Sequence, residues 1–316
     1  MAVRLLDPSS LSAEVMRGLY EVLARCHAEE NAEEPCRSPA ELKGFLRHAP
    51  SAETRDYWVV ESASGCAGYA MLAVTRGSQT GRVELLVHPE HRRLGHGSAL
   101  LGVIRQQATK RGARRLAGRH ATEAGSRFAS SVGASVTYRE VRSLLRLPLP
   151  EGLEAQPVGG YGLRSWVGAA PDDLLDSFAR ARKAINDAPG FEDEPEVWTA
   201  ARVRDLEAAV ARRDRDIRVT VALDSQGEVA SFTELRISHA PGSVAGTEDT
   251  ATVPAHRRRG LGRWVKLESL GRLQLDRPDV RLVSTSNAEE NEAMLSLNRS
   301  LGFSPVTVYT NCELAI

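Results

Sequence analysis

Lysine is scarce: the chain of 316 residues has it only at Lys43, Lys110, Lys183 and Lys266, and arginine supplies nearly all the basic charge. That skew reads as the mark of a GC-rich genome rather than an adaptation to phosphate. Net charge is also missing, with 41 basic residues against 41 acidic ones. A global basic footprint is therefore absent, and no nucleic-acid partner is expected. The four cysteines, Cys26, Cys36, Cys66 and Cys312, show no CxxC spacing and no paired histidines. This argues against a disulfide framework and a zinc site, so no metal is expected. No segment approaches the roughly 20 apolar residues of a membrane span, and no membrane partner is expected. The first twenty residues carry Asp7 and Glu14 and no long apolar block, which argues against a secretory signal and for a cytoplasmic protein.

What the chain does have is one short pattern written twice. In residues 248–270 a β-branched run from Thr250 to Val253 meets Pro254, then a basic turn with Gly260 and Gly262, then a helical pattern. Residues 83–101 anticipate it: Pro89, His91, Arg92, Arg93, Gly95 and Gly97 recur as Pro254, His256, Arg257, Arg258, Gly260 and Gly262, each 165 positions later. Glycines at such places let the backbone take open dihedrals and approach a ligand closely. The following helix would aim its first N–H groups, and the positive end of its dipole, at that ligand. An anion, in the first place a pyrophosphate, is the natural occupant. A short Arg/Gly pattern counts only in context, and both copies sit between a strand-like and a helix-like run.

The length favours two domains of roughly 100–200 residues each. Pro148, Pro150, Gly152, Pro157, Gly159 and Gly160 crowd into one stretch that reads as a linker. The expected organisation is a first domain over residues 1–149, a linker over 150–160 and a second domain over 161–316. On either side the order β, α, α, β, β, β, α, β, α, β occurs, which suggests mixed α/β domains with central sheets. Ser9 and Ser10 are expected to cap the first helix, and Ser38-Pro39 the second.

These residues resemble the GNAT superfamily of acyl-CoA-dependent N-acyltransferases. Its signature, (Arg or Gln)-x-x-Gly-x-(Gly or Ala) between the fourth strand and the next helix, is matched by Arg92-Arg93-Leu94-Gly95-His96-Gly97 and by Arg257-Arg258-Arg259-Gly260-Leu261-Gly262. A second signature, a strand, an asparagine-bearing helix and an L-G-F ending, is similar to residues 285–303. The resemblance covers nearly the whole chain as a tandem pair of the kind common in actinobacteria. It implies an α/β (α+β) fold of two GNAT-like domains, each a mostly antiparallel mixed sheet flanked by helices. It further implies acetyl-CoA, or another acyl-CoA, as cofactor, with no metal. The pyrophosphate would rest on backbone amides from Arg257 through Arg258, Arg259, Gly260, Leu261 and Gly262 to Arg263. The pantetheine arm would pair with the strand edge at Ala251, Thr252 and Val253, supported by Asn287, Asn291 and Asn298. The matching first-half set is Val87, Arg92, Arg93, Gly95, His96 and Gly97.

The reaction implied is direct transfer in a ternary complex: an amine is held against the thioester, a base accepts its proton and an acid protonates the thiolate. Many members carry that acid as a tyrosine four residues before the glycine of L-G-F. Here the place holds Asn298 in the second half and Ala129 in the first. Asn298 would hydrogen-bond the sulfur but has no acidic proton to give, and Tyr309 on a late strand is the candidate replacement. Candidate bases are Glu234, Glu248 and Asp249. Neighbouring strand side chains point to opposite faces, so Glu248 and Asp249 are not expected to share one cleft. Asp249 matches Glu84 at the same offset of 165. His91 and His256 are expected to shape the turns. The first half's counterpart of the second signature, residues 121–134, lacks the asparagine and ends in V-G-A, so the C-terminal half is expected to do the chemistry.

A small-molecule amine is the expected acceptor. Glu192 and Glu194, flanked by Asp187 and Trp198, lie in the loop between the first two helices of the second half, which family members use for the acceptor. Carboxylates there would suit a cationic amine. The absence of both tyrosines leaves a second class open, a non-catalytic acyl-CoA-binding or sensing protein. A monomer or homodimer is expected.

Overall fold

Side chains are buried almost continuously along the central strands, and successive ones point to opposite sides, so each sheet has two apolar faces. The computed structural model describes residues 2–62, 65–188 and 197–316. They form two units, Met1–Arg139 with Thr307–Ile316, and Glu140–Val306. The first contains β1 (Val3–Leu6), α1 (Ala13–Glu30), α2 (Pro39–Arg47), β2 (Glu53–Ser62), β3 (Gly65–Thr75), β4 (Thr80–Val87), α3 (His96–Lys110), β5 (Arg115–His120), α4 (Glu123–Ser131) and the start of β6 (Ser135–Arg146). The second continues with β7 (Gly162–Val167), α5 (Asp172–Arg182), α6 (Ala200–Ala211), β8 (Arg215–Leu223), β9 (Val229–Ser238), β10 (Ala245–Thr252), α7 (Leu261–Asp276), β11 (Leu282–Ala288) and α8 (Glu292–Ser300), and β12 (Ser304–Ala315) ends the chain. The expected element order is borne out twice over.

In the first unit the strands run β1-β2-β3-β4-β5-β12, and in the second β6-β11-β10-β9-β8-β7. Each sheet has one parallel pair, β4 with β5 and β10 with β11; the other neighbours are antiparallel. The composition-based boundary at residues 150–160 separates the chain differently from its strand pairing. Glu140 to Arg146 of β6 pair with Ala288 to Leu282 of β11, and Thr310 to Ala315 of β12 pair with His120 to Arg115 of β5. Each unit thus takes its last strand from the other half of the sequence. The proline- and glycine-rich stretch lies on the second unit, where Leu149, Leu153 and Ala155 pack against a core that includes Leu235, Leu270 and Phe303.

Period-two burial explains the layers. On β2 and β3, Tyr57, Val59, Tyr69 and Met71 face α1 and α2, while Trp58, Val60, Ala70 and Leu72 face α3. The second unit repeats this, with Val219, Val221 and Phe232 against α5 and α6, and Ala222 and Ala230 against α7. Each fully buried Leu, Val or Phe contributes about 1.5–3 kcal/mol. Ser38 forms the capping box expected at α2, with Glu41 reciprocating. At α1 the cap is Ser12 rather than Ser9 or Ser10, because those two are drawn into a turn on the Asp7 carboxylate. No helix among the described residues is long and apolar enough to cross a membrane.

One feature positions the site. The β4–β5 ladder covers only Thr80–Arg82 with Arg115–Ala117, and the β10–β11 ladder only Ala245–Thr247 with Val283–Thr285. Beyond those residues the parallel strands part, each split lying at the end that runs into a basic turn.

Candidate active site

Both turns adopt one backbone path. A short 3-10 turn, Pro89–His91 or Pro254–His256, is followed by an arginine at positive φ, 67° for Arg93 and 62° for Arg258, and then by a left-handed glycine, 83° for Gly95 and 82° for Gly260. Left-handed geometry costs a side-chain-bearing residue about 1–2 kcal/mol, so each turn stores strain. Neither α3 nor α7 has a side chain capping its first turn. The N–H groups there are available to an anion, where the helix dipole is positive.

The first arginine of each motif braces the turn instead of reaching outward. Arg92 donates from Nε to Val87 O at 3.3 Å and pairs with Glu29 at 2.6 Å. Arg257 donates from Nε to Thr252 O at 3.0 Å and pairs with Asp187 at 2.5 Å. Asp187 is thereby committed to the turn. Arg258 and Arg259 are exposed beside it. His256 is held by the Tyr161 hydroxyl at 2.9 Å, while the His91 ring lies tilted against His88 and edge-on to His96. His96 itself is buried, with Nδ1 unpartnered among the described residues, and burial lowers its pKa. A Cβ on Gly97 would lie 3.1 Å from the Phe128 ring, whereas one on Gly262 would find Leu297 and Thr252 at 3.7 Å.

A buried charge network occupies the α5 side of β9 and β10. Arg182 is 1% exposed; its guanidinium lies 3.8 Å from the centroid of Trp198 and bonds both Glu234 and Asp249 at 2.5 Å. Glu234, also 1% exposed, is held at 2.8 Å by Arg236, which reaches Glu248 at 3.4 Å. The expectation that Glu248 and Asp249 diverge fails for a local reason. The pairing of β10 with β9 slips between Thr247, opposite Leu235, and Thr250, opposite Thr233. This bulge sets two residues against one and re-aims their side chains. Glu248 folds back over Gly246, and both carboxylates join the same network.

The environment separates the carboxylates electrically. Burial pushes Asp249 up to about 6, with Glu234 adding repulsion and Arg182 opposing it. Asp249 keeps a quarter of its side-chain surface open, 25%, and so remains reachable. Burial opposes ionisation of Glu234 as well, yet Arg236 and Arg182 together hold it below the usual glutamate range.

A second polar chain lies behind α8. Lys266 donates to Asn298 Oδ1 at 2.8 Å, and Asn298 Nδ2 donates to Asn287 Oδ1 at 2.7 Å. Asn291 caps α8 by accepting from Met294 N at 3.2 Å. On β10, Thr252 and the Ala251 carbonyl are bonded by Ser231, and Val253 N donates to Ala230 O at 2.9 Å.

Tyr309 belongs to the first unit. Its hydroxyl accepts from Asn31 Nδ2 at 2.6 Å and its ring packs under Arg119, which takes it out of the unit that holds Asn298. Glu192 and Glu194 lie outside the described residues. Among the described residues no group of His, Cys, Asp and Glu is arranged to hold a metal. Sequence reasoning missed Arg182, Arg236 and Lys266. The signal for two of them was available: Arg182 follows Leu174 and Phe178 at helical spacing, and Lys266 precedes Leu270 and Leu273, so both are charges on apolar stripes.

The model of the acetyltransferase (GNAT) domain family matches residues 53–133, which include the first turn. Two mycothiol acetyltransferases are similar over nearly the whole length. That of Salinispora tropica is 30% identical over 93% of this chain and 92% of its own, and that of Salinispora arenicola 30% identical over 98% and 94%. Among solved structures, a tandem GNAT protein from the clavulanic acid biosynthesis pathway superposes with a TM-score of 0.84 at 27% identity, covering 99% of this chain and 98% of that one. A GCN5-related N-acetyltransferase from Sphaerobacter thermophilus shares the fold with a TM-score of 0.71 at 18% identity, covering 99% and 95%. With two units that each carry the split strands and the glycine turn, and with full-length relatives at this identity, the chain belongs to the GNAT superfamily of N-acetyltransferases as a tandem member.

Proposed function

We propose that the chain moves an acetyl group from acetyl-CoA to a primary amine of a small molecule, by direct transfer in a ternary complex on its C-terminal unit. The bulge in β10 is the observation that carries this reading, because it brings Asp249 to Arg182 and Glu234 beside the β10–β11 split. The uncapped start of α7 would take the pyrophosphate, and the parted edge of β10 the pantetheine arm. The amine nitrogen attacks the thioester carbonyl, the C–S bond breaks with its electron pair going to sulfur, and the ammonium proton passes to Asp249. A carboxylate near 6 is well matched to that role, being ionised at neutral pH yet able to hold a proton. Arg182 and Glu234 fix its orientation. Three carboxylates against two guanidinium groups leave one excess negative charge, which suits a cationic acceptor.

The test is release of CoA from acetyl-CoA in the presence of a panel of primary amines, beginning with the acceptor used by the mycothiol acetyltransferase relatives. Intersecting initial-rate patterns would support direct transfer; parallel lines would point to an acetyl-enzyme and contradict it. The absence of a tyrosine at Asn298 and at Ala129 favours a second reading, an acyl-CoA-binding or sensing protein. Binding of acetyl-CoA without turnover on any amine would select that reading.

A further inference from the structure

Lys266 is 2% exposed on the buried face of α7, yet the position 165 residues earlier is Leu101, an ordinary core residue. Its partner is Asn298, and no carboxylate among the described residues lies within ion-pair distance of it; the Phe303 ring, 5.4 Å away, is its other neighbour. A buried ammonium without a counter-ion costs several kcal/mol, so a core would be more stable with a leucine there. Burial lowers the Lys266 pKa to about 7. Such a group is retained for what it does next to its partner.

The placement of that partner shows what this is. Asn298 occupies the position where an acidic tyrosine would stand, and its neighbour Leu297 packs toward Gly262 in the turn. Asn287 lies on β11 beyond the ladder with β10, on the parted side of the split. The Asn298 amide has two N–H donors, and Asn287 accepts one. An ammonium donating to the amide oxygen polarises the amide and strengthens the remaining donor.

We infer that Lys266 is the positioning residue for the leaving thiolate: it fixes Asn298 with one N–H directed into the split and sets a positive charge behind the sulfur. The inference rests on the acyl-transfer reading above. As the C–S bond breaks, the electron pair on sulfur is met by the Asn298 N–H and by the Lys266 charge. Neither group gives up its proton, and the thiolate is protonated by solvent after it leaves. The missing tyrosine is thereby replaced by charge stabilisation rather than by another acid.

The experiment uses the full chain with CoA, which has the free thiol, and with desulfo-CoA, which lacks only the sulfur. Ultraviolet absorbance of the thiolate is read on bound CoA at neutral pH. In the wild type the bound thiolate fraction should exceed that of free CoA by about tenfold, the effect of a positive charge close to an ionising group. Lys266→Met should return the fraction to that of free CoA while leaving desulfo-CoA affinity unchanged. Asn298→Ala should also return the fraction to that of free CoA, and this second variant keeps the lysine in place. The thermal midpoint is the folding control. A thiol in the wild type that titrates like free CoA overturns the inference, as does a thiolate fraction unaltered by Lys266→Met. Failure of the wild type to bind either compound would instead overturn the acyl-CoA reading on which the inference stands.

Discussion

Met71 lies opposite Glu84 in the first unit where Glu234 lies opposite the bulged Glu248 and Asp249 in the second, Tyr69 stands where Phe232 does, and Leu101 where Lys266. The turns beside them nevertheless share their strained dihedrals, φ 67° and 62° at the arginines and 83° and 82° at the glycines. The difference teaches which part of such a site is inexpensive to keep. A turn that presents N–H groups needs two glycines and one strained arginine, and it desolvates nothing. The charges around Asp249 and Lys266 each carry a desolvation cost, which is tolerable only where they are used. In the first unit the same depth holds the Tyr69 hydroxyl, uncharged and unpartnered among the described residues, with burial raising its pKa well above the usual range.

The largest effect that would break this comparison is on rate. Asp249→Asn should lower kcat by about 10²–10⁴-fold, the usual worth of a general base, whereas Glu84→Gln should leave it unchanged. In the wild type kcat/KM should fall as pH drops through about 6, where Asp249 takes up its proton; that acid limb should vanish in Asp249→Asn. Equal losses in the two variants would dissolve the asymmetry.

Next comes stability. Arg182→Met leaves Asp249 without its guanidinium partner and the buried Glu234 with Arg236 alone, and should cost about 3–5 kcal/mol by denaturant titration, while Tyr69→Phe, which removes an unpaired hydroxyl, should cost less than about 1 kcal/mol. The two glycines at the helix starts sharpen the contrast further. Gly97→Ala forces the Phe128 ring to yield and should cost about 1–3 kcal/mol. Gly262→Ala has ordinary van der Waals room and should be neutral or stabilising by up to about 1 kcal/mol, since alanine favours the helix.

A further effect is in pH dependence. Lys266 has a folded pKa near 7, below its ordinary value of 10.5. Between those pH values the unfolded chain holds a proton that the native one does not, so this group makes stability rise with pH across that window. The rise should be missing in Lys266→Met when the two proteins are compared by thermal melts. An identical slope in both would show Lys266 to be normally protonated in the fold.

Residues that must have a given backbone geometry were legible, because residue type records the geometry: Gly95 and Gly260 announce left-handed dihedrals, and Ser38 announces a cap. Strand-like runs between turn residues likewise marked the strands of both sheets. The exchange of closing strands was not legible, since a strand's partner is set by contacts far along the chain that leave no local pattern. Nor was the bulge at Glu248 and Asp249, where two acids in an ordinary strand do not show that the ladder slips. Tyr309 misled for the same reason as the boundary did: it follows Asn298 in sequence but folds with Asn31. Arg182 was overlooked because a helical arginine is usually solvated, and only its register with Leu174 and Phe178 marks it as buried.

The central claim is that the C-terminal unit holds the reacting cofactor, and paired turn variants test it most directly. Acetyl-CoA binding by calorimetry and turnover with an accepted amine would be measured for Gly95→Glu with Gly97→Glu, and for Gly260→Glu with Gly262→Glu. A carboxylate in either turn repels a pyrophosphate and blocks its approach. The second pair should abolish turnover and remove the binding coupled to it, while the first pair leaves turnover intact. Turnover lost in the first pair and kept in the second would contradict the central claim.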